Sequence, residues 1–165
     1  MSTAYLGLGG NLGDRRQHLV AAVESLNAQP GIRVQKISPI YETKPIGVVD
    51  QPDFLNLVLE VATELPVREL LARCLWIEAA LGRVRIERWG PRTIDIDLLW
   101  YDGQTLNEPE LVLPHPRMLL RAFVLVPLAE IAPTLLLEGV SAKVLAARLD
   151  QIGLRRIGEF EFLSE

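Results

Sequence analysis

Residues 32–63, IRVQKISPIYETKPIGVVDQPDFLNLVLEVAT, decide the fold. Two extended runs follow one another here with no helix between them. The first, residues 32–43, carries Val34, Ile37, Ile40 and Tyr41. A loop rich in proline and glycine spans residues 44–53. The second run, residues 54–63, alternates strongly. Leu55, Leu57, Leu59 and Val61 share one face, and the other face begins with Phe54 and Asn56. Strand directly after strand breaks the strand–helix alternation that a doubly wound parallel sheet requires.

Working outward, residues 3–8 read as a strand that runs into glycines. Asp14 then suits a helix N-cap, with Gln17 three residues on. Leu19, Val20, Val23 and Leu26 recur at helical spacing until Pro30-Gly31 stops them. Downstream, Pro66 opens a second helix carrying Leu70, Leu71, Cys74, Ile77 and Leu81, and Gly82 closes it. Residues 93–101 form a further strand. One of its faces is expected to carry Ile94, Ile96, Leu98 and Trp100, the other Asp95 and Asp97. The order strand, helix, strand, strand, helix, strand is the split βαβ, ferredoxin-like order. The expected class is α+β, with an antiparallel or mixed sheet and segregated helices. Residues 122–131 and 141–149 are the best helices of a C-terminal helical extension. No repeat, linker or low-complexity tract interrupts residues 1–165, which read as one domain.

Composition narrows the function classes. The chain is 49% hydrophobic with a mean hydropathy of +0.21, enough to bury a large core. The most apolar region, residues 119–137, is interrupted by Arg121, Pro127, Glu130 and Pro133, so no membrane span is expected. Residues 1–10 lack a signal-peptide pattern. The lone Cys74 fits a reducing, cytoplasmic setting and a core position. A net charge of −4 argues against a general nucleic-acid binder. Yet Arg83, Arg85, Arg88 and Arg92 crowd one short segment with a single acid, Glu87. That is a local site for a polyanion.

The two aspartates decide what the anion is. Asp95 and Asp97 share a strand face roughly 7 Å apart. Alone they read as solvated acids on a strand edge. With four arginines immediately upstream they read as ligands for magnesium, whose hard charge suits carboxylates and phosphates. Arginine forks grip the phosphate oxygens. The combination favours a nucleoside triphosphate with magnesium, and two ions about 4 Å apart can be shared by such a pair. No Gly-x-x-x-x-Gly-Lys-Ser/Thr occurs, so this is no P-loop. Gly7, Gly9, Gly10 and Gly13 read as a strand-to-helix turn that a ligand can approach. His115 lies between two prolines and near Arg117 and Arg121, in reach of phosphate; His18 is expected in solvent.

The run RWGPRTIDIDLL, residues 88–99, resembles the defining motif of 6-hydroxymethyl-7,8-dihydropterin pyrophosphokinase. Residues 5–12, 41–56 and 114–123 resemble it too, collinearly, so that the likeness spans about residues 4–133. It implies a cytoplasmic enzyme of folate biosynthesis. Its reaction moves pyrophosphate from ATP to the hydroxymethyl group of the pterin, leaving AMP. The matching positions make Asp95 and Asp97 ligands of two Mg2+ ions. Arg83, Arg85, Arg88, Trp89 and Arg92 would line a mobile loop and the nucleotide site, with Arg83 and Arg92 acting on the transferring group. His115 and Arg121 would reach the triphosphate. Thr43, Pro45, Ile46, Phe54, Asn56 and Phe123 would form the pterin pocket: two aromatics to sandwich a flat ring, and an amide to pair with its edge. Gly10 stands where the family usually has serine, and Phe54 where some members have tyrosine. The partners expected are ATP and the pterin, without nucleic acid or membrane, and the chain is expected to be a monomer. Two other classes compete: a nicotinamide-dependent reductase built on the glycine turn, and an RNA-binding module of ferredoxin-like order with stacking aromatics on its open sheet face.

Overall fold

The computed structural model describes residues 1–45, 50–82 and 93–161. The chain begins with strand β1 (Ser2–Gly10) and helix α1 (Arg15–Ala28). Asp14 caps α1, its Oδ1 accepting from the Gln17 N–H at 3.1 Å. Strands β2 (Ile32–Ile37), β3 (Ile40–Thr43) and β4 (Phe54–Thr63) follow, then helix α2 (Val67–Ala80) and strand β5 (Asp95–Tyr101). The remainder comprises the hairpin β6 (Leu106–Glu108) and β7 (Leu111–Leu113), helix α3 (Ala122–Ile131), the short pair β8 (Leu136–Leu137) and β9 (Val140–Ser141), helix α4 (Ala142–Arg148) and strand β10 (Leu154–Gly158).

β1 lies between β4 and β5, and β4 pairs on its other side with β2 and β3, all antiparallel. This is the ferredoxin-like arrangement, with one edge strand broken into two pieces. The break sits at Ser38-Pro39. Proline cannot donate to the ladder, and the buried Ser38 replaces what is lost. Its N–H donates to the Val58 carbonyl, its Oγ accepts from the Val58 N–H, both at 2.9 Å, and its hydroxyl donates to Pro39 O at 2.8 Å. The expected single strand over residues 32–43 is therefore two strands on one partner. A wholly antiparallel sheet also removes the dinucleotide-binding alternative, which needs parallel strands.

The sheet is covered on both faces. α1 and α2 pack Leu19, Val23, Leu26, Leu70, Cys74 and Ile77 against Leu6, Leu8, Leu57 and Leu59. α3 and α4 pack Val124, Leu125, Leu128 and Ala146 against Tyr5, Val58 and Leu99 on the opposite face. The open, aromatic face of an RNA-binding module is thus occupied by helices. The C-terminal extension also contains strands, and β10 adds to the sheet beside β3.

Trp100 departs from its expected face. The β1–β5 register shifts between Tyr5 and Leu6, so Leu98 and Trp100 oppose consecutive residues and Leu99 is the extra one. A bulge puts its neighbouring side chains on the same side. Leu99 and Trp100 consequently join the α3 side, where Trp100 meets Tyr5 at a centroid distance of 5.5 Å, while Tyr101 turns to the α1–α2 side. His18 is half-buried: its Nδ1 lies 3.0 Å from the Leu12 carbonyl and donates to it.

Candidate active site

The floor of the site is made of missing side chains. Gly7 and Gly9 alternate with the core residues Leu6 and Leu8 on β1, an inner strand, so their bare positions point toward α3. Gly9 stands between Asn56 of β4 and Asp95 of β5, and Gly7 between Val58 and Asp97. A trough therefore runs along β1, with carboxylates on one bank and the amide of Asn56 on the other. It cannot tolerate a methyl group at its centre. A Cβ on Gly9 would come within 2.4 Å of Asn56 Oδ1. Only Gly13 of the four glycines belongs to the expected turn, with φ of +64°; Gly7, Gly9 and Gly10 lie within β1.

The start of α3 roofs the trough. Arg121, Phe123 and Val124 face it, and the resulting open cleft is lined also by Thr43, Lys44, Phe54, Asn56, Asp95 and Asp97. The Arg121 guanidinium lies 5.4 Å from the Phe123 ring centroid, which holds a cation against an aromatic face at the rim. Asn56 Nδ2 donates to Thr43 Oγ1 at 3.2 Å. This bond leaves the amide oxygen over Gly9. Two phenylalanines, an oriented amide, two carboxylates and an arginine thus converge on one cleft.

Asp95 is buried and Asp97 half-buried at the cleft. On the outer edge of β5, the N–H of Ile96, between them, donates to the buried Glu78 carboxylate at 2.6 Å. Among the described residues no cluster of three or more histidine, cysteine or acidic side chains forms a ready metal cage. Two carboxylates fit magnesium nonetheless, since that ion retains waters and is commonly completed by substrate phosphates.

His115 and Pro45 do not line the cleft. His115 is attached to β5 through its N–H, which donates to Leu99 O at 2.9 Å, and its Nδ1 accepts from the Arg117 N–H at 3.2 Å. Burial, then the charges of Arg121 and Arg117, lower its pKa to about 4. At neutral pH it is uncharged, with the proton on Nε2. Cys74 is fully buried, and burial raises its thiol to about 12, so it is an inert core residue. Ile46, Arg83, Arg85, Arg88, Trp89 and Arg92, with the mobile loop expected around them, lie outside the described residues.

Some of the machinery escapes a reading of the sequence. The glycine floor is signalled by spacing two residues apart, a period that also fits a turn. Lys44 lines the cleft at the edge of the proline-rich loop. Asn11 is buried and its Nδ2 donates to Gln51 Oε1 and Pro52 O, both at 2.9 Å. Nothing in its local sequence announces that reach of 40 residues along the chain.

The family model for 7,8-dihydro-6-hydroxymethylpterin-pyrophosphokinase (HPPK) matches residues 5–133. A 2-amino-4-hydroxy-6-hydroxymethyldihydropteridine pyrophosphokinase of Methylorubrum extorquens is 54% identical over 157 residues, covering 95% of this chain and 99% of the relative. The enzyme of that name from Bacillus subtilis is 45% identical, covering 92% and 88% respectively. Among solved structures, an HPPK-DHPS crystal structure in complex with substrates superposes with a TM-score of 0.70 at 13% identity. The match covers 88% of this chain, which spans only 43% of the longer one, so it bears on the fold alone. From the family match and these two relatives together, the chain belongs to the 7,8-dihydro-6-hydroxymethylpterin-pyrophosphokinase family.

Proposed function

We propose that the cleft over Gly7 and Gly9 is where this pyrophosphokinase joins its two substrates. The family's reaction transfers pyrophosphate from ATP to hydroxymethyldihydropterin in folate biosynthesis. The observation that carries the assignment is the convergence of Asp95 and Asp97 with Asn56, Phe54 and Phe123 across a floor without side chains.

In this reading Phe54 and Phe123 hold the flat ring, Asn56 and Thr43 pair with its polar edge, and Pro45 and Ile46 complete the pocket. Asp95 and Asp97 hold two magnesium ions. Bound magnesium neutralises phosphate charge and polarises the phosphoryl oxygens. Arg121 and the neutral His115, through Nε2–H, meet the triphosphate, and Arg83, Arg85, Arg88, Trp89 and Arg92 complete the nucleotide site. The pterin hydroxyl oxygen then bonds to the β-phosphorus as the bond from that phosphorus to the α-phosphate oxygen breaks, giving AMP. Positioning and charge neutralisation supply most of the rate. We place the enzyme in the cytoplasm as a monomer, where its free, buried Cys74 and its ATP substrate are at home.

The test is product analysis. With magnesium, ATP and 6-hydroxymethyl-7,8-dihydropterin, AMP and the pterin diphosphate should accumulate in equal amounts. ADP with a pterin monophosphate would contradict the reading.

A further inference from the structure

Beyond residue 133, where the family match ends, the chain returns to the site. β10 pairs with β3, placing Leu154 opposite Thr43 and Arg155 opposite Glu42. Arg155 donates to Glu42 Oε1 at 2.5 Å. The other oxygen of Glu42 accepts from Arg15 at 2.8 Å, and the same Arg15 nitrogen donates to the Asp53 carbonyl at 2.9 Å. Asp53 directly precedes Phe54. Asn11 holds Gln51 and Pro52 just before it. A chain of bonds therefore runs from the C-terminal strand, through one carboxylate and two guanidiniums, to the backbone that carries Phe54 and Asn56 into the cleft. Glu42, Arg15 and Arg155 do not line the cleft themselves.

Glu42 is the keystone of this chain. Its side chain is 16% exposed and stands between two cations that repel each other without it. Removing it frees Arg15 from its partner and loosens the hold on Asp53 O. The aromatic wall and the amide of the pterin pocket then lose their fixed approach, while Asp95 and Asp97, on the far bank, keep theirs.

We propose that Glu42 is a positioning residue for the pterin half of the site, and that β10 is part of the frame of that half. The inference rests on the assignment of Phe54 and Asn56 to the pterin. Its test is steady-state kinetics on the full chain with each substrate varied in turn. Glu42→Ala should raise KM for the pterin about tenfold, the equivalent of one charge-assisted hydrogen bond, with kcat and the KM for ATP within about twofold. Glu42→Gln, which keeps acceptor oxygen but no charge, should raise it only about threefold. Arg155→Ala should do the same, and because the Arg155 side chain is 74% exposed its removal leaves the fold intact even if Glu42→Ala does not fold. A lowered melting temperature with both KM values unmoved, or both moved equally, would overturn the proposal. Asn56→Ala serves as the reference. If it leaves the pterin KM unmoved, the pterin assignment falls and the proposal with it. If it raises that KM while the Glu42 and Arg155 variants are silent, only the network falls.

Discussion

At Gly9 the absence of a side chain is a chemical requirement. Gly9→Ala puts a methyl group 2.4 Å from Asn56 Oδ1 and drives the amide out of the trough. Pterin affinity should fall at least about tenfold, with ATP binding unchanged, as read by titration calorimetry. Asn56→Ala should act on the same ligand for a different reason, leaving a buried polar edge unpaired at about 1 to 3 kcal/mol. Equal weakening of ATP in either variant would remove these residues from the pterin side. Asp95→Ala or Asp97→Ala should cost about 10³-fold in turnover at saturating magnesium, since several kcal/mol of charge stabilisation go with a metal ligand and each 1.36 kcal/mol is tenfold. Losses under about tenfold for both would end the metal assignment. Asp95, Asp97, Phe54 and Asn56 were legible from the chain because Asp-Ile-Asp and Phe-Leu-Asn each place two polar or aromatic groups on one strand face, whereas Gly9, read as part of a turn, was not. Asn11 and Glu42 were not legible: their partners are remote in sequence, and an isolated polar residue carries no period.

Among the elements, α3 joins the hydrophobic layer to the cleft. Its N-cap Arg121 and its first-turn Phe123 and Val124 form the roof, while Leu125 and Leu128, fully buried, anchor it to the sheet. Leu128→Ala should cost about 2 to 5 kcal/mol in urea unfolding, as large-to-small core changes do. Asp95 and Asp97 belong to another element, so magnesium dependence should persist in the folded fraction. A cost under about 1 kcal/mol would mean that α3 is not anchored there. The helix itself was readable from residues 122–131, and so were the faces of β4, where period two holds without interruption. β5 was misread at Trp100 because one inserted residue, Leu99, reverses every face after it. β10 went unread since its five residues show neither alternation nor a long apolar run.

For the whole molecule, protonation links the site to stability. The pKa of His115 is lowered to about 4, below its ordinary 6.5, so the folded state holds the neutral ring. Its contribution is complete above about 6.5 and is lost as pH falls toward 4, because the unfolded chain takes up the proton first. Glu42 is lowered by its hydrogen bonds to Arg15 and Arg155, and its share is complete above 4.5 and lost as pH falls through its folded value. Glu130 has the opposite sign: burial raises it, so its ionisation weakens the fold as pH rises past 4.5. Urea unfolding should show stability declining from pH 6.5 to 4, and His115→Gln should flatten that limb. An unchanged slope would place the titrating group elsewhere. The direction of β10 has a practical side as well. Antiparallel pairing sets Leu154 beside Thr43 at the mouth and Gly158 beside Ile40 farther along β3, so the chain travels away from the cleft as it leaves the sheet. A dye or a surface tether attached at the exposed Glu159, just past β10, would hang clear of the mouth, and the substrates' path in would stay open.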